Sequence, residues 1–197
     1  SIKLFFRKVV QDVLPIAAKE LNQLRRVEID DAFQVTYTED DKPKITERIQ
    51  QSDQSVALFI HGIIGDTTVA PGILRRAKTP DGKEFHDHYG TVLTYDYENL
   101  NTPLMETAQD LQRQLKDIGL GPGHGKTLQI YCHSMGGLVS RCFIEQLRGS
   151  EVVEHLIQFG TPNGGSPYGK LAQMLTPLLT WGLGKAAAYT PWLSPLL

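Results

Sequence analysis

The feature that most constrains this chain is a serine placed between a predicted buried strand and a predicted helix. Residues 127–131 are predicted to form the strand, and residues 137–147 have the apolar periodicity of a helix. Ser134 lies between them, so the chain must turn sharply at this residue. Such a turn crowds the positions two before and two after the serine. Cys132 and Gly136, both small, occupy those two positions.

The spacing around Ser134 is close to that of a nucleophile elbow, whose motif is Gly-x-Ser-x-Gly. Cys132 takes the place of the first glycine, a departure that a small side chain makes tolerable. A serine hydroxyl is a poor nucleophile unless it is held exposed, beside a base and beside donors for the developing oxyanion. The turn lifts the Ser134 side chain out of the sheet and directs the backbone N–H of Met135 to the same point. The pattern therefore makes Ser134 a candidate nucleophile.

The segments around the serine predict an α/β fold. Residues 55–60 are continuously apolar, which is typical of a strand buried on both faces. Further strands are predicted at 89–97 and 152–159, and a helix is predicted to begin with Thr102 as N-cap and Pro103 as first residue. Strands that alternate with helices at this spacing favour a mostly parallel central sheet flanked by helices.

The region before this sheet is predicted to hold an amphipathic helix and two paired strands. Residues 1–26 combine apolar side chains at helical spacing with lysine and arginine, and Pro15 divides the pattern. We expect this segment to dock on the sheet or on a neighbouring domain, with a membrane-surface helix as the alternative. Residues 27–38 and 45–50 are predicted to be the strands that open the sheet, and residues 39–42 the turn between them.

Three segments, in this order, carry a resemblance to a known family. They are residues 61–65 (His-Gly-Ile-Ile-Gly), residues 133–141 (His-Ser-Met-Gly-Gly-Leu-Val-Ser-Arg) and residues 159–166 (Phe-Gly-Thr-Pro-Asn-Gly-Gly-Ser). Over roughly residues 55–167 the chain resembles the bacterial lipase/esterase branch of the α/β-hydrolases. The resemblance implies the α/β-hydrolase fold, here lacking its C-terminal strands. It also implies a serine hydrolase that cleaves carboxylic esters, expected to be lipid-like.

The resemblance also implies roles for individual residues. Ser134 would be the nucleophile, and the backbone N–H groups of Ile63 and Met135 would form the oxyanion hole. Four neighbours would support the site: His61, Gly62, His133 and Gly136. No organic cofactor is implied, and no metal either, since the His86-Asp87-His88 run has no further cluster of ligands beside it.

The acid and base of a catalytic triad have no clear place in the sequence. In this fold they follow the nucleophile, Asp or Glu first and His second. The chain after Ser134 has no aspartate and one histidine, His155, which is predicted at the start of a strand, at the wrong edge of the sheet. Asp96 precedes the nucleophile and is expected to end its strand at the catalytic edge, where it can make a polar contact near the site.

Three interpretations of the missing partners are open. The favoured one is that the chain is part of a longer hydrolase, whose acid and histidine lie beyond it. The first alternative is a catalytically incomplete, hydrolase-like module that binds or scaffolds within a larger protein. The second is an acyltransferase on the same fold, which would keep the nucleophile and exclude water.

The sequence accordingly divides into an amphipathic helical segment (1–26), a hydrolase core (27–166) and an apolar segment (167–197). The last segment has no acidic residue and holds both tryptophans, so it is expected either to form a cap over the site or to pack against the remainder of the fold. The expected partner is a small-molecule or lipid ester, with membrane-surface or inter-domain contacts through the two end segments. A net charge of −2 gives no reason to expect nucleic acid. Two cysteines favour the cytoplasm, with secretion as the alternative if a signal was trimmed.

Overall fold

The computed structural model describes residues 22–62, 67, 70–97 and 102–165. The chain divides into two units, residues 20–161 and a second unit made of residues 1–19 and 162–197. Of the second unit, residues 162–165 are described, and they form a turn in which the N–H of Gly165 donates to the carbonyl of Pro162 over 2.9 Å. The helices and strands of the described residues lie in the larger unit.

The larger unit is built on a six-stranded sheet. The strands are β1 (Gln23–Ile29), β2 (Val35–Tyr37), β3 (Ser55–Ile60), β4 (Tyr89–Asp96), β5 (Leu128–His133) and β6 (His155–Phe159), in the spatial order β2-β1-β4-β3-β5-β6. β1 runs antiparallel to β2 and β4, whereas β3, β4, β5 and β6 are mutually parallel. The predicted α/β class with a mostly parallel sheet is therefore confirmed. The predicted lack of C-terminal strands concerns residues after 165, outside the described part of the chain.

Helices cover both faces of the sheet. They are α1 (Lys42–Gln51), α2 (Ile73–Arg76), α3 (Leu104–Asp117) and α4 (Met135–Gln146), with short 3₁₀ turns at Ala70–Gly72, Phe85–His88 and Gly149–Glu151. Leu58 and Ile60 of β3 belong to a core cluster with residues of α1, α3 and α4, whereas Phe59 packs into a second cluster with Leu74 of α2. Because apolar side chains are buried on both faces, β3 is a continuous apolar run.

The strand predicted at 45–50 was wrong, because these residues lie within α1. Asp41 caps the helix by accepting a hydrogen bond from the N–H of Lys44 over 3.1 Å, and Pro43 occupies the first turn, where its missing N–H costs nothing. Ile45 and Ile49 form the buried side of the helix. The partner of β1 is instead the short strand β2.

Other boundaries also differ from those predicted. β1 begins at Gln23, so residues 23–26 pair with β4 in the sheet and do not continue the helix predicted over 1–26. β6 begins at His155, later than the predicted 152, because a 3₁₀ turn precedes it. α3 begins at Leu104 with Pro103 as its N-cap, one residue later than predicted.

The predicted segments at the two ends of the chain are otherwise not covered. Residues 1–21 of the predicted helix and all of the predicted cap at 167–197 lie outside the described residues. Among the residues that are described, no helix has both the length and the apolar character needed to span a bilayer.

Candidate active site

Ser134 alone forms the turn between β5 and α4. β5 ends at His133 and α4 begins at Met135. The Ser134 backbone takes φ 50° and ψ −122°, a conformation that residues with a side chain rarely adopt. Strain of this kind costs about 1–3 kcal/mol and persists only where the surroundings hold it in place. The backbone thus takes the strand–serine–helix layout that the sequence predicted.

Hydrogen bonds on both sides fix the serine. Its N–H donates to the carbonyl of Phe159 at the end of β6 over 2.9 Å, and its carbonyl accepts from the N–H of Gly137 over 3.1 Å. Met135 is the first residue of α4, where backbone N–H groups have no partner within the helix and the helix dipole is positive. Negative charge that develops beside the Ser134 hydroxyl would therefore be stabilised at this helix terminus.

Two glycines allow backbone segments to meet at this turn. A Cβ on Gly136 would lie 2.5 Å from the carbonyl oxygen of His61 and 2.6 Å from that of Ile60, so no side chain fits there. A Cβ on Gly62 would lie 2.8 Å from the Cβ of Ser134. The segment that leaves β3 therefore passes directly beside the serine.

Cys132, at the first glycine position of the motif, is a packing residue. It is buried, and its Sγ donates to the carbonyl of Ile157 in β6 over 3.4 Å. Burial raises the pKa of this thiol to about 11, which keeps it neutral at physiological pH. The side chain thus packs in the core cluster that includes Val139 and Phe143 of α4.

His61, a predicted supporting residue, is held at the end of β4. Its ring stacks on Tyr97 with 4.5 Å between centroids, and the backbone N–H of Tyr97 donates to Nε2 over 3.2 Å. Nε2 is therefore the acceptor, and Nδ1 carries the proton that it donates to the carbonyl of Gly62 over 2.6 Å. The Tyr97 hydroxyl also donates to the carbonyl of His61 over 3.0 Å. Both ring nitrogens are engaged in shaping this segment, which does not suit a general base.

No general base for Ser134 is found among the described residues. All six histidines of the chain belong to that set, and the ring hydrogen bonds seen among the described residues go to Gly62, Tyr97, Val152 and Lys126, not to the Ser134 hydroxyl. His133 is exposed and borders the loop after β3, with its Nδ1 3.1 Å from where a Cβ on Gly62 would lie. His155 pairs with Gln129 at the start of β6, at the far edge of the sheet. The described residues also hold no cluster of three metal-ligating side chains.

Asp96 is the buried centre of a polar cluster that the sequence only partly indicated. Its carboxylate accepts from the N–H of Thr67 over 3.2 Å, from the Thr67 hydroxyl over 2.8 Å and from the Tyr37 hydroxyl over 3.1 Å. It also forms an ion pair with Arg25, whose guanidinium lies 3.6 Å from the centre of the Tyr37 ring. We call these residues, Asp96, Thr67, Tyr37 and Arg25, the Asp96 cluster.

The partners of Asp96 lie in segments far apart in sequence. β1 brings Arg25, β2 brings Tyr37, and Thr67 follows β3. The available signal was a carboxylate at the end of a predicted strand, which indicates its place at the edge of the sheet but does not identify its partners. Burial raises the pKa of Tyr37 to about 12, so its hydroxyl remains a donor to the carboxylate at neutral pH.

The predicted oxyanion donor Ile63 lies outside the described residues, together with residues 64–66. Its role stays a prediction. The described residues on either side, Gly62 and Thr67, place the two ends of this loop: Gly62 beside Ser134, and Thr67 on Asp96.

Comparison with other proteins adds a family and a distant structural likeness. No curated protein matches the chain. A solved structure described as the crystal structure of Bacillus licheniformis lipase BlEst2 in mature form is 19% identical, with a TM-score of 0.48. The likeness covers 62% of this chain and 47% of that one, so the chain spans about half the length of that lipase. A family model described as a domain of unknown function, DUF7379, matches residues 19–184. Since this match takes in most of the sequence, the chain belongs to the DUF7379 family.

Proposed function

We propose that the chain carries the nucleophile of a serine hydrolase of the α/β-hydrolase type, which cleaves carboxylic esters through an acyl-enzyme on Ser134. The backbone of Ser134, with φ 50° and ψ −122° between a strand and a helix N-terminus, is the main support. Glycine would occupy this conformation without strain, so a serine here suggests a use for its hydroxyl.

In this proposal, the Ser134 oxygen attacks the ester carbonyl carbon while a base removes the hydroxyl proton. The carbonyl electron pair moves onto oxygen, and the Met135 N–H at the positive end of α4 stabilises the resulting oxyanion, with Ile63 N–H as the proposed second donor. Collapse of this intermediate expels the alcohol, which takes the proton back from the base. Water then cleaves the acyl-enzyme by the same two steps.

The base and its acid are proposed to lie outside the printed sequence. The engaged nitrogens of His61 and the distant position of His155 support this, as does the lack of a hydrogen bond between His133 and the Ser134 hydroxyl. A histidine and a carboxylate from another segment would complete the triad. No cofactor is needed for this chemistry.

A lipid-like ester is the substrate class that we propose. Phe159 lies opposite His133 in the register of β5 and β6, next to the serine turn, and its side chain is 44% exposed. An exposed aromatic side chain at this place suits an acyl chain or another apolar group of the ester. Contacts of 1–26 and 167–197 with a membrane surface or a neighbouring domain stay predictions, as does a cytoplasmic location.

Labelling with a fluorophosphonate probe tests the proposal on the longest native polypeptide that contains this sequence. We expect labelling in the wild type and none in Ser134→Ala. Ser150→Ala is the matched control, because Ser150 is an exposed serine in the 3₁₀ turn that precedes β6 and should be irrelevant to labelling. A folded wild type that is not labelled would refute the hydrolase and favour the binding or scaffolding module.

Substrate choice is tested with p-nitrophenyl esters of increasing acyl length. Cleavage that improves with chain length would support a lipid-like substrate, whereas a preference for acetate would contradict it. An acyltransferase would be recognised by transfer of the acyl group to an added alcohol in preference to water.

A further inference from the structure

The loop after β3 has two described ends, and each is tied to β4. Gly62 lies against Ser134, and Thr67, five residues further along the chain, is fully buried. The residues that hold these ends, Asp96 and Tyr97, are consecutive in sequence at the end of β4.

Tyr97 holds the first end through two hydrogen bonds to the residue before Gly62. Its backbone N–H donates to Nε2 of His61, and its hydroxyl donates to the carbonyl of His61. Both side chains are buried, and their rings are stacked. In such surroundings water does not compete for these bonds, so they resist displacement of the chain.

Asp96 holds the second end through two hydrogen bonds from a single residue, the N–H and the hydroxyl of Thr67. Hydrogen bonds to a carboxylate are about twice as strong as those between neutral groups. Arg25 balances the charge of the carboxylate, and the Tyr37 hydroxyl donates to it as well. The Asp96 carboxylate is thus held in place by hydrogen bonds and an ion pair from three different segments of the chain.

We propose that Asp96 and Tyr97 act as a clamp that fixes His61–Gly62 and Thr67, the described residues on either side of the proposed oxyanion donor Ile63, and thereby supports that donor's role. The inference rests on the proposed function of Ser134. Asp96 acts through Thr67 and touches no reacting atom, so it is a positioning residue. Oxyanion donors act within about 2.7–3.1 Å, and a misplacement of roughly 1 Å can cost about 100-fold in rate. Release of one end of the loop should therefore slow acylation more than it weakens binding of the ester.

The central variant is Thr67→Val, which keeps the size of the side chain and removes the hydroxyl that donates to Asp96. We expect the rate of fluorophosphonate labelling and kcat for ester cleavage to fall about 10- to 100-fold, with KM changed less than about threefold. Thr67→Ser restores the hydroxyl and should recover most of the rate.

Thr91→Val provides a matched control. Thr91 is also a buried threonine, in β4, but its hydroxyl has no hydrogen-bond partner among the described residues. The same chemical change there should leave labelling and kcat as in the wild type. A general penalty for replacing a buried threonine would instead appear equally in both variants.

The two anchors can be tested together. Tyr97→Phe removes only the hydroxyl bond to the carbonyl of His61, and Asp96→Asn keeps the shape of the side chain while removing its charge. If Asp96 and Tyr97 hold the same loop, the reductions in labelling rate caused by Thr67→Val and Tyr97→Phe should not multiply in the double variant. A loop that is already released at one end gains little further freedom when it is released at the other.

All rates are divided by the folded fraction, which is measured by thermal unfolding. Hydrogen exchange of the Thr67 amide is followed by NMR in the same samples. The clamp predicts faster exchange of that amide in Asp96→Asn and slower labelling in Thr67→Val. If the wild type is labelled and Thr67→Val is labelled at the same rate, the clamp is wrong and the hydrolase stands. If the folded wild type is not labelled, both are wrong.

Discussion

At the scale of single residues, Ser134 sits in a backbone conformation that its own side chain disfavours. The N–H bond to Phe159 and the close approach of Gly62 and Gly136 leave the turn little freedom to relax. The surrounding fold therefore stabilises the strained residue. In a comparison of variants, this strain should appear as lost stability.

We expect Ser134→Gly to be more stable than Ser134→Ala by about 1 kcal/mol, because glycine accepts φ 50° without the clash that a Cβ causes. Part of the gain is offset by the larger backbone entropy of glycine in the unfolded chain. Chemical denaturation of the two variants measures the difference. Equal stabilities would mean that the turn relaxes when the hydroxyl is absent.

Gly136→Ala should disrupt the turn, since its Cβ would meet two backbone oxygens, at 2.5 and 2.6 Å. We expect a loss of about 1–3 kcal/mol in the free energy of unfolding, together with loss of fluorophosphonate labelling. Gly121→Ala is the control, because the atom nearest to its Cβ would be a side-chain carbon of Lys116 at 3.6 Å. Similar stability losses in both variants would contradict the packing argument.

At the scale of elements, the sequence predicted what local patterns determine. β3, β4, β5 and α4 were all placed correctly within one or two residues, because buried parallel strands are continuous apolar runs and the serine turn fixes its neighbours. α1 was mistaken for a strand because Ile45 and Ile49, four residues apart, fit both a two-residue and a 3.6-residue period.

The contacts that the sequence could not predict depend on which strands pair in the folded sheet. Arg25 reaches Asp96 because β1 pairs with β4 in a register that places Gln23 opposite Asp96. Nothing near Asp96 in sequence indicates this antiparallel partner or the position of Thr67. For the same reason, residues 23–26 join the sheet although their apolar spacing continues a helical pattern.

The cap of α1 can be tested by replacement. Asp41→Ala removes the acceptor for the N–H of Lys44 and should lower the free energy of unfolding by about 1 kcal/mol. Asp53→Ala, at an exposed aspartate just after the helix, should change it by less than about 0.5 kcal/mol. Guanidinium titration of both variants compares them. If Asp41→Ala leaves the free energy of unfolding unchanged, packing of Ile45 and Ile49 stabilises the helix and the cap does not.

At the scale of the whole molecule, several tyrosine hydroxyls and one thiol have higher pKa values in the folded protein than in the unfolded chain. Burial raises the pKa of several tyrosine hydroxyls: Tyr37, Tyr89, Tyr95, Tyr97 and Tyr131. It also raises the pKa of the Cys132 thiol. The folded protein therefore keeps protons at high pH that the unfolded chain releases.

Stability should consequently fall in alkali. Below about pH 8 these groups are protonated in both states, so their ionisation does not change the free energy of unfolding. At higher pH the unfolded chain binds fewer protons than the folded one, because the unfolded thiol and hydroxyls have the lower pKa values, and the free energy of unfolding decreases as pH rises. The decline should continue through the folded pKa values of about 11 for Cys132 and about 12 for Tyr37. Urea titrations at increasing pH, with tyrosinate absorbance as a second probe, measure it. A constant stability between about pH 9 and 11 would contradict the burial argument.

The bond from the Ser134 N–H to the carbonyl of Phe159 ties the candidate nucleophile to the last described strand. β6 reaches β5 only after the chain has crossed back through α4, so this pairing is non-local in sequence. A nascent chain that ends before β6 would lack the acceptor that holds the serine in its turn. If Ser134 is the nucleophile that we propose, its hydroxyl would acquire reactivity only once β6 has paired with β5, so labelling of Ser134 would report that this pairing has formed.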